Sequence, residues 1–405
     1  MISLQEALAI NTTLPLLPLP IENISIFEAK GRILARDFHI TRPLPAFDNS
    51  AMDGYAFNTA HAQNLSISKR CLLAGEDATH ITLKRGEALR IMTGAMLPSN
   101  ADAIAPFEYT SLQDSTLLLH KTFAPQANIR KKGEEKQIGE ILATKGTPLD
   151  FGTIGLFASQ GYEQIPVFSR LNIGVFSTGN ELQEVGTTAK AHQIYNINAP
   201  SIISALSDFS PRYLGILRDD STLEKQLLES IQKHHIIITS GGVSAGDADL
   251  LEEILLKNGA EIFYHKINLK PGKPLMVARI QNCYFFCLAG NPLSAMLNLL
   301  ALLMPAIYRL SLSTHFHPQA LRTTCTQNLT FKNSRAHITL GNLTQDGFTP
   351  HKGGKYSPNA ISTFQACNSF IITDSACEEV RANQSVLVLP YTPLYTSTPS
   401  PYINA

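Results

Sequence analysis

The 405-residue sequence predicts a multidomain α/β protein, in which a central α/β domain with a mostly parallel sheet is accompanied by a small β-rich domain and a C-terminal β-domain. Its length exceeds what a single hydrophobic core usually serves. Between residues 171 and 310, short apolar runs alternate with helical stretches, a pattern typical of parallel strands joined by right-handed helical crossovers. Beyond about residue 320 the helical period gives way to alternating apolar and polar residues, which predicts strands.

The elements of the central segment follow from its apolar runs. We expect strands at 171–177, 212–217, 235–239, 261–267 and 283–288. We expect helices at 199–207, 221–233, 249–258 and 292–310. The last helix approaches membrane-spanning length, but it contains Asn298 and Pro305 and follows a glycine turn, so we expect a core helix. Residues 57–127 hold short β-like runs, and the runs at 336–340 and 385–389 alternate as strands do.

Composition and charge limit the classes of function. Lys plus Arg equals Asp plus Glu at 33 each, so bulk charge favours neither nucleic acid nor an anionic membrane as a partner. The N-terminus lacks the basic start and apolar stretch of a signal peptide, which predicts a cytoplasmic protein. The six cysteines lack the paired spacings of a zinc site, and Cys283 and Cys287 lie in an apolar run. We therefore expect packed, reduced thiols.

The segments that follow the central strands carry the strongest functional pattern. Ligands of open α/β sheets bind beyond the carboxyl ends of the strands. Each predicted strand here is followed by small, acidic or basic residues. These segments are 177–181, 218–220, 239–249, 268–274 and 289–292. Their convergence predicts a single binding site.

The residue types in these segments predict a phosphate-bearing ligand that is handled with a divalent cation. Glycines let backbone N–H groups approach an anion, hydroxyls add donors, clustered acids suit Mg²⁺, and lysines neutralise phosphate or an oxyanion. The glycines are Gly179, Gly241 and Gly242. The hydroxyl residues are Thr178, Thr239, Ser240 and Ser244. The acids are Glu181, Asp219, Asp247 and Asp249. The lysines are Lys266, Lys270 and Lys273.

Each of these features also has a purely structural interpretation. Ser-Gly-Gly is usually only a strand–helix turn, and Asp219, Asp220 and Asp249 are all suited to cap a helix. Lys273 before a proline suits a solvated turn, and Asn291-Pro292 is ordinary helix-start chemistry. Occurring together at five strand ends, they favour a binding site. The absence of a Gly-x-x-x-x-Gly-Lys-Ser/Thr loop, a Gly-x-Gly-x-x-Gly turn and a Gly-x-Ser-x-Gly elbow argues against P-loop NTPases, NAD enzymes and serine hydrolases.

Eight segments in the first three quarters of the chain resemble, in order, motifs of the molybdopterin molybdenumtransferases, the MoeA-like family that includes the C-terminal domain of gephyrin. The segments are 45–56, 90–95, 128–134, 176–182, 215–220, 240–249, 270–274 and 290–295. The run Phe47-Asp-Asn-Ser-Ala-Met-Asp-Gly-Tyr-Ala56 is the most specific of them.

This resemblance implies an elongated subunit of four domains that forms a homodimer. The implied division is an N-terminal, dimerising region at 1–41 and 128–168, a β-rich inserted domain at 42–127, a molybdopterin-binding α/β domain at 169–312 and a C-terminal β-domain at 320–405. The implied reaction inserts molybdate into adenylylated molybdopterin with Mg²⁺ and releases AMP. The implied partners are a second copy and, transiently, molybdopterin adenylyltransferase and molybdoenzyme maturation proteins, with neither nucleic acid nor membrane.

The resemblance also assigns roles to residues by position. We expect Glu181, Asp219 and Asp249 to hold Mg²⁺ and the diphosphate. The implied catalytic set adds Asp53, Thr93, Lys266 and Lys270. The cofactor-binding set is Ser177, Thr178, Gly179, Ser240, Gly241, Gly242, Ser244, Lys273, Asn291 and Pro292. Lys270 and Lys273 would hold anionic oxygen, and Asp53 with Thr93 would complete the cleft from the partner subunit. Asp53 could instead be a simple turn aspartate before Gly54.

Several positions depart from the family pattern. Ala289 replaces a common proline, and Asn196-Ile-Asn198 lacks an expected carboxylate. In the C-terminal domain Leu340 replaces an arginine and Ser357-Pro358 replaces Gly-Ser, which bears on the substrate contacts of that domain.

Two rival functions remain open. The first rival is a molybdopterin adenylyltransferase or nucleotide pyrophosphatase that shares the α/β domain; such enzymes lack a counterpart of residues 42–56. The second is a non-catalytic scaffold with the same fold.

Overall fold

The central sheet has six strands, of which four neighbours run parallel. The computed structural model describes residues 1–242, 250–332 and 335–392. In spatial order the strands are Arg212–Leu217, Ile173–Thr178, Ile236–Ser240, Cys283–Leu288, Leu275–Ile280 and Glu261–His265. The first four pair in parallel, whereas Leu275–Ile280 is antiparallel to both its neighbours. The five predicted strands are confirmed to within two residues at either end.

The strand Leu275–Ile280 was not predicted. It forms a hairpin with Cys283–Leu288 through the turn at Gln281, which adopts a positive φ of 54°. The run is short and directly follows the proline- and glycine-rich loop 270–274, so only its pairing with the next strand distinguishes it from an extension of that loop.

Helices cover both faces of the central sheet, as the alternation of strands and helices predicted. On one face lie Asn198–Ala205 and the helical stretch beginning at Pro292, and on the other lie Leu223–Ile231 and Leu250–Lys257. Successive residues of each strand feed alternate cores: Val175 packs on the first face and Phe176 on the second.

The last helical stretch of this domain consists of Pro292–Asn298, a π-helical turn Leu299–Leu303 and Met304–Leu310. By length and composition it could cross a membrane, but 78% of its most apolar window is buried within the protein. The prediction of a core helix is confirmed. The cysteines in the neighbouring strand are buried as expected, and burial raises the pKa of Cys283 to about 12.

A second six-stranded sheet lies in the β-rich part of the chain. Its spatial order is Ala103–Pro106, Gly54–Phe57, Glu87–Ile91, Leu65–Leu72, Thr116–Leu119 and Thr110–Gln113. Gly54 is required at its position, because a Cβ there would lie 2.1 Å from the carbonyl oxygen of Ala105 on the neighbouring strand. This close approach explains the glycine of the most specific motif.

The N-terminal residues pair with the segment that follows the β-rich sheet. Three antiparallel ribbons join Ile21–Ser25 to Gln164–Phe168, Phe38–His39 to Ile141–Ala143, and Asn49–Ser50 to Ile129–Arg130. The helix Leu4–Asn11 begins at a Ser3 capping box, and Phe151–Ser159 begins at Asp150, whose side chain accepts from the Thr153 N–H. A separate apolar core lies beneath these ribbons.

The third large sheet is C-terminal and draws one strand from the central domain. Its spatial order is Leu269–Lys270, Ala336–Thr344, Ser369–Thr373, Ser385–Pro390 and Leu321–Thr324. Gly347–Pro350 pairs with Ala336–Thr344, a small ribbon joins Leu329–Thr330 to Glu379–Val380, and the helix Ser362–Gln365 precedes Ser369–Thr373. The strands expected at 336–340 and 385–389 are confirmed. The lysine-bearing loop at 268–274 is therefore built into this sheet.

Candidate active site

A cavity of about 700 Å³ lies beyond the carboxyl ends of Ile173–Thr178, Ile236–Ser240 and Cys283–Leu288. This is the edge at which open α/β sheets bind ligands. Five residues that the sequence pointed to line the cavity, namely Thr178, Glu181, Ser240, Asn291 and Pro292. Asn291 precedes a helix that begins at Pro292, but its side chain makes no capping hydrogen bond. The amide is thus left at the cavity wall instead of serving the helix.

The glycine turns bring the strand ends into close backbone contact. Gly241 has φ 100°, and a Cβ at this position would lie 2.4 Å from the carbonyl oxygen of Thr178. Gly241 also donates its N–H to the carbonyl of Leu288 at 3.0 Å, and its Cα lies 3.6 Å from where a Cβ of Gly290 would be. Three neighbouring strand ends therefore meet at this turn, and the close approach of Gly241 to Thr178 requires a residue without a side chain. Gly242, with φ 73°, continues this turn.

Glu181 and Asp219 lie on adjacent loops. A Cβ at Gly179 would lie 2.6 and 2.8 Å from the two carboxylate oxygens of Glu181, so this side chain turns back over Gly179. The Asn180 side chain links the loops: its Nδ2 donates to Asp219 Oδ2 at 3.3 Å, and its Oδ1 accepts from the Asp219 backbone N–H at 3.2 Å. Within the described residues, no lysine or arginine forms an ion pair with either acid.

The remaining predicted acids of this cluster differ in outcome. Asp249, Asp247 and Ser244 lie outside the described residues. Across the described ranges, no three His, Cys, Asp or Glu side chains form a group that could hold a metal ion. Asp220 follows the structural interpretation, because its carboxylate accepts from the backbone N–H and hydroxyl of Thr222, just before the helix Leu223–Ile231. Asp219 has no such capping contact in the described structure.

Arg218 connects the same two loops and was given no role by the sequence. Its Nη1 donates to the carbonyls of Gly179 at 2.9 Å and Asn180 at 2.7 Å, and its Nη2 donates to the carbonyl of Leu182 at 2.7 Å. The three carbonyls bracket Glu181. The motif 215–220 contains the residue, but its partners come from a loop about 38 residues earlier, so spacing alone could not reveal them.

The wall formed by residues 194–198 is held by buried amides. Asn196, which occupies the place of an expected carboxylate, accepts from the Ser177 hydroxyl at 2.7 Å and donates to the Tyr213 hydroxyl at 2.9 Å. Tyr213 in turn donates to Glu184 at 2.7 Å; burial and then this hydrogen bond raise the pKa of Tyr213. Ser177 is fully buried in this network. Its hydroxyl is thus engaged by Asn196, and Ser177 itself does not line the cavity.

Asn198 extends this wall to the neighbouring strand ends. Its Nδ2 donates to the Gly290 carbonyl at 2.8 Å and also contacts the Ser240 hydroxyl. A carbonyl oxygen can only accept, so the orientation of the amide is fixed. Asn196 and Asn198 both line the cavity, and neither was predicted as a site residue.

The three lysines lie on the loop beside the cavity and do not line it. Lys266 has φ 64° and its backbone bonds to Ile2 and Leu275. Lys270 is exposed and pairs in register with His337, whose pKa is lowered by burial and then by the Lys270 charge. Lys273 is half-buried and its carbonyl accepts from the Ile267 N–H at 3.0 Å.

Buried Asn298 fixes this lysine loop. Its Nδ2 donates to the carbonyls of Gly272 at 3.0 Å and Pro274 at 3.3 Å. A Cβ at Gly272 would lie 2.3 Å from Asn298 Oδ1, and Gly272 has φ 111°, so glycine is required there. Asn298 precedes the π-helical turn, a helix distortion that often marks functional sites.

Asp53 and Thr93 meet on the β-rich sheet. Asp53 Oδ1 accepts from the Thr93 backbone N–H at 2.7 Å and from its hydroxyl at 2.8 Å. These two hydrogen bonds, the backbone one first, hold the pKa of Asp53 below its ordinary value. Both residues are exposed, and in the described part of the chain no hydrogen bond connects either to the central sheet.

Three of the motif segments converge beside this pair. Ser50 donates its N–H to the Ala95 carbonyl and pairs with Ile129, and Ala51 donates to the Asn128 carbonyl. Asp48 accepts from Lys131 Nζ at 2.8 Å and from the Lys132 N–H at 2.8 Å. Segments 45–56, 90–95 and 128–134 thus lie against one another beside the exposed Asp53–Thr93 pair.

The departures in the C-terminal domain have structural roles. Leu340 is fully buried in the large core and donates its N–H to the Tyr356 hydroxyl at 2.7 Å, so an apolar side chain fits where an arginine was expected. The Pro358 carbonyl accepts from the N–H of Leu293, at the start of the helix beside the cavity, at 3.1 Å. The next residue, Asn359, lines the cavity. The C-terminal domain therefore reaches this site through Asn359, which the sequence did not indicate.

The fold and this site define the chain as a multidomain α/β protein with a ligand-sized cavity beyond the carboxyl ends of its parallel strands. Residues 174–309 match the family model described as a probable molybdopterin binding domain, and residues 2–161 match the MoeA N-terminal region (domain I and II). The chain is 30% identical over 384 residues to the molybdopterin molybdenumtransferase of Staphylococcus aureus (strain COL), covering 92% of this chain and 91% of the relative. It is 32% identical over 385 residues to that of Haemophilus influenzae (strain ATCC 51907), covering 92% and 95%. The chain therefore belongs to the MoeA family of molybdopterin molybdenumtransferases.

Solved structures agree with this assignment. The molybdopterin biosynthesis MoeA protein from Pyrococcus horikoshii superposes with a TM-score of 0.78 at 27% identity, covering 97% of this chain and all of that one. A second structure from the same organism, at 19% identity and a TM-score of 0.81, covers 96% of this chain and shows the same fold. The expected family and the multidomain α/β fold class are confirmed.

Proposed function

We propose that this chain is a molybdopterin molybdenumtransferase that inserts molybdate into adenylylated molybdopterin and releases AMP as the diphosphate linkage is hydrolysed. Similarity to enzymes of that name over 92% of the chain supports the proposal. The observation that carries it is the pair of adjacent loops bearing Glu181 and Asp219, joined through Asn180, with Glu181 at the wall of a cavity of about 700 Å³. Carboxylates grouped beside a ligand-sized cavity suit a diphosphate substrate bound with a cation.

The acids fit Mg²⁺. Glu181 and Asp219 present hard oxygen donors, and neither forms an ion pair with a lysine or arginine among the described residues. Together with Asp249 they would hold the ion, which when bound supplies positive charge to stabilise the leaving phosphate. The residues themselves bind and orient. Lys270 and Lys273, with Lys266 beside them, would hold anionic oxygens of molybdate or phosphate, while the amides of the cavity wall would donate and accept hydrogen bonds that orient the bound substrate.

We also propose that two copies associate, so that Asp53 and Thr93 of one subunit complete the cavity of the other. The pair is exposed and stands apart from the central sheet of its own chain. Two large apolar side chains in the N-terminal region support an interface there: Phe27 is 94% exposed and Phe151 is 89% exposed, on neighbouring elements. Such exposure is costly in water and typical of a protein-binding surface. Contacts with an adenylyltransferase or with maturation proteins would be transient.

The test follows AMP release from adenylylated molybdopterin by the purified protein with Mg²⁺ and molybdate. Glu181→Gln removes a charge at the proposed cation site, and we expect about a 100-fold lower rate. Glu229→Gln, an exposed acid on a surface helix, is the matched control and should leave the rate unchanged.

Two outcomes would contradict the proposal. AMP release by the parent no faster than in a protein-free blank would leave a non-catalytic scaffold as the better assignment. AMP release at the same rate without molybdate, yielding a product free of molybdenum, would indicate a nucleotide pyrophosphatase.

A further inference from the structure

We propose that Arg218 is the positioning residue of the cation site, holding the Glu181 loop against the Asp219 loop so that both carboxylates face one ion. The inference rests on the proposed function. Arg218 immediately follows the strand Arg212–Leu217 and precedes Asp219. Its guanidinium reaches across to the loop after the neighbouring strand, Ile173–Thr178. One side chain therefore connects the loops that carry Glu181 and Asp219, the two proposed cation ligands that lie within the described residues.

The contacts of Arg218 are directed at the backbone around Glu181. Three hydrogen bonds of 2.7 to 2.9 Å run from its two terminal nitrogens to the carbonyls of residues 179, 180 and 182. Hydrogen bonds from a charged donor are stronger than neutral ones, and three of them restrain both sides of the Glu181 Cα. The Asn180 amide adds the reciprocal link to Asp219.

The arrangement leaves the carboxylates available. Arg218 is next to Asp219 in sequence and holds the loop that carries Glu181. In the described structure it nevertheless forms no ion pair with either acid. An arginine that paired with these acids would compete with a cation. Because its donors are used on carbonyls, it positions the acids and does not neutralise them by direct contact.

Lysine cannot replace this function. The guanidinium is a planar fork with five fixed donors, whereas the ammonium group is a compact charge on a flexible stem. Arg218→Lys therefore keeps the charge and loses the geometry. If Arg218 acts by positioning, the Glu181 loop of R218K has to become ordered when the cation binds. The affinity for the cation then falls while the fold is retained.

The experiment titrates Mn²⁺, a paramagnetic substitute for Mg²⁺, into the full-length protein and measures free Mn²⁺ by electron paramagnetic resonance. For R218K we expect the Kd to rise about 10-fold or more, since a factor of ten corresponds to the loss of one charged hydrogen bond. The Tm should stay within about 3 °C of the parent. In the AMP assay the Mg²⁺ concentration for half-maximal rate should rise, and saturating Mg²⁺ should restore most of kcat.

Arg212→Lys is the matched control, because Arg212 is the exposed arginine at the opposite end of the same strand. It should change neither the Kd for Mn²⁺ nor the Mg²⁺ requirement. Arg218→Gln supplies a second variant, which keeps an N–H₂ donor on a shorter, neutral side chain and should weaken Mn²⁺ binding at least as much as R218K.

Several results would overturn the inference. Mn²⁺ binding by R218K with the affinity of the parent would show that the fork geometry is not needed. Failure of R218K and R218Q to fold would assign Arg218 to global stability instead.

The behaviour of the parent protein separates this inference from the proposed function. A parent protein that binds Mn²⁺ but releases no AMP would refute the proposed function alone, and the Mn²⁺ titration would still decide the role of Arg218. A parent that binds no Mn²⁺ would refute both the cation site and this inference.

Discussion

Asparagine residues hold the loops around this site. The sequence predicted a carboxylate at one of these positions and no functional residue at the others. Asn180 joins the two acidic loops, and Asn196 stands where a carboxylate was expected. An amide both donates and accepts, so Asn196 can accept from Ser177 while donating to Tyr213. A carboxylate could not donate, and the negative charge at this end of the network is instead on Glu184. With Asn196 in place of the acid, the amide donates to Tyr213, and Tyr213 donates to Glu184.

The Asp53–Thr93 pair gives a prediction at the residue scale. Thr93→Val removes the hydroxyl donor, and we expect the pKa of Asp53 to rise toward its ordinary value of 3.8. Thr93→Ser keeps the hydroxyl and should leave the pKa low. Because the folded-state pKa lies below the unfolded one, ionised Asp53 favours the folded state above pH 3.8, and that contribution is lost as pH falls through the folded pKa. A carboxyl-carbon NMR titration measures it; equal pKa values in T93V and parent would contradict the prediction.

At the scale of elements, the long helix that begins at Pro292 does more than fill the core. Asn298 is fully buried at its centre and binds two carbonyls of the lysine loop, directly before the π-helical turn. From the sequence alone, Asn298 served only as a reason to expect a core helix and not a membrane-spanning one. The structure shows that the polar residue in the apolar run has a specific partner, the segment that carries Lys270 and Lys273.

Asn298→Ala should therefore destabilise the protein by about 2–4 kcal/mol, because two carbonyls lose their donor and a cavity remains. Chemical denaturation of the purified protein measures this change in the free energy of unfolding. Asn342→Ala, which removes a single exposed hydrogen bond to the Ala366 carbonyl, is the control and should cost less than about 1 kcal/mol. A loss below about 0.5 kcal/mol in N298A would contradict the assigned role.

Elements of the central domain could be predicted where the local residue pattern determines the secondary structure. They could not be predicted where pairing with a distant segment determines it. The strand Ile236–Ser240 begins with three successive isoleucines and is followed by a glycine pair, so its position and its link to a site followed from sequence. Leu275–Ile280 became a strand through its hairpin with Cys283–Leu288. Arg218 and Asn359 reach the site through contacts across 36 or more residues of chain, and nothing in local periodicity reports such contacts. The acids were predicted as site residues because clustered negative charge needs a cation to be tolerated.

At the scale of the whole molecule, the exposed Asp53–Thr93 pair and the exposed N-terminal phenylalanines belong to one question, namely whether the catalytic unit is a dimer. The pair makes no hydrogen bond to the central sheet in the described part of its own chain. A second subunit could bring it there. The apolar residues at 27 and 151 offer the surface on which two copies would meet.

The double substitution Phe27→Asp with Phe151→Asp should convert a dimer into a monomer, because burying two carboxylates at an apolar contact is strongly unfavourable. Light scattering coupled to size exclusion measures the mass, for which one chain contributes 44.3 kDa. AMP release should fall with dimer content. Exposed Leu112→Asp, in the β-rich sheet, is the control for a new surface charge. A double variant that remains dimeric, or a parent that is monomeric and active, would contradict the proposal.

The strand Leu269–Lys270 lies in the C-terminal sheet, in register with Ala336 and His337, although it belongs by chain position to the central domain. A shortened protein ending at Leu310 would strip this strand of its only lateral neighbour within the described residues and would remove Asn359 from the cavity. The isolated α/β unit would then display the backbone N–H and C=O groups of this two-residue edge without their partner strand. The last quarter of the chain therefore supplies both a residue of the cavity wall and the strand that pairs with Leu269–Lys270, so removing it would disturb the cavity and the lysine-bearing loop together.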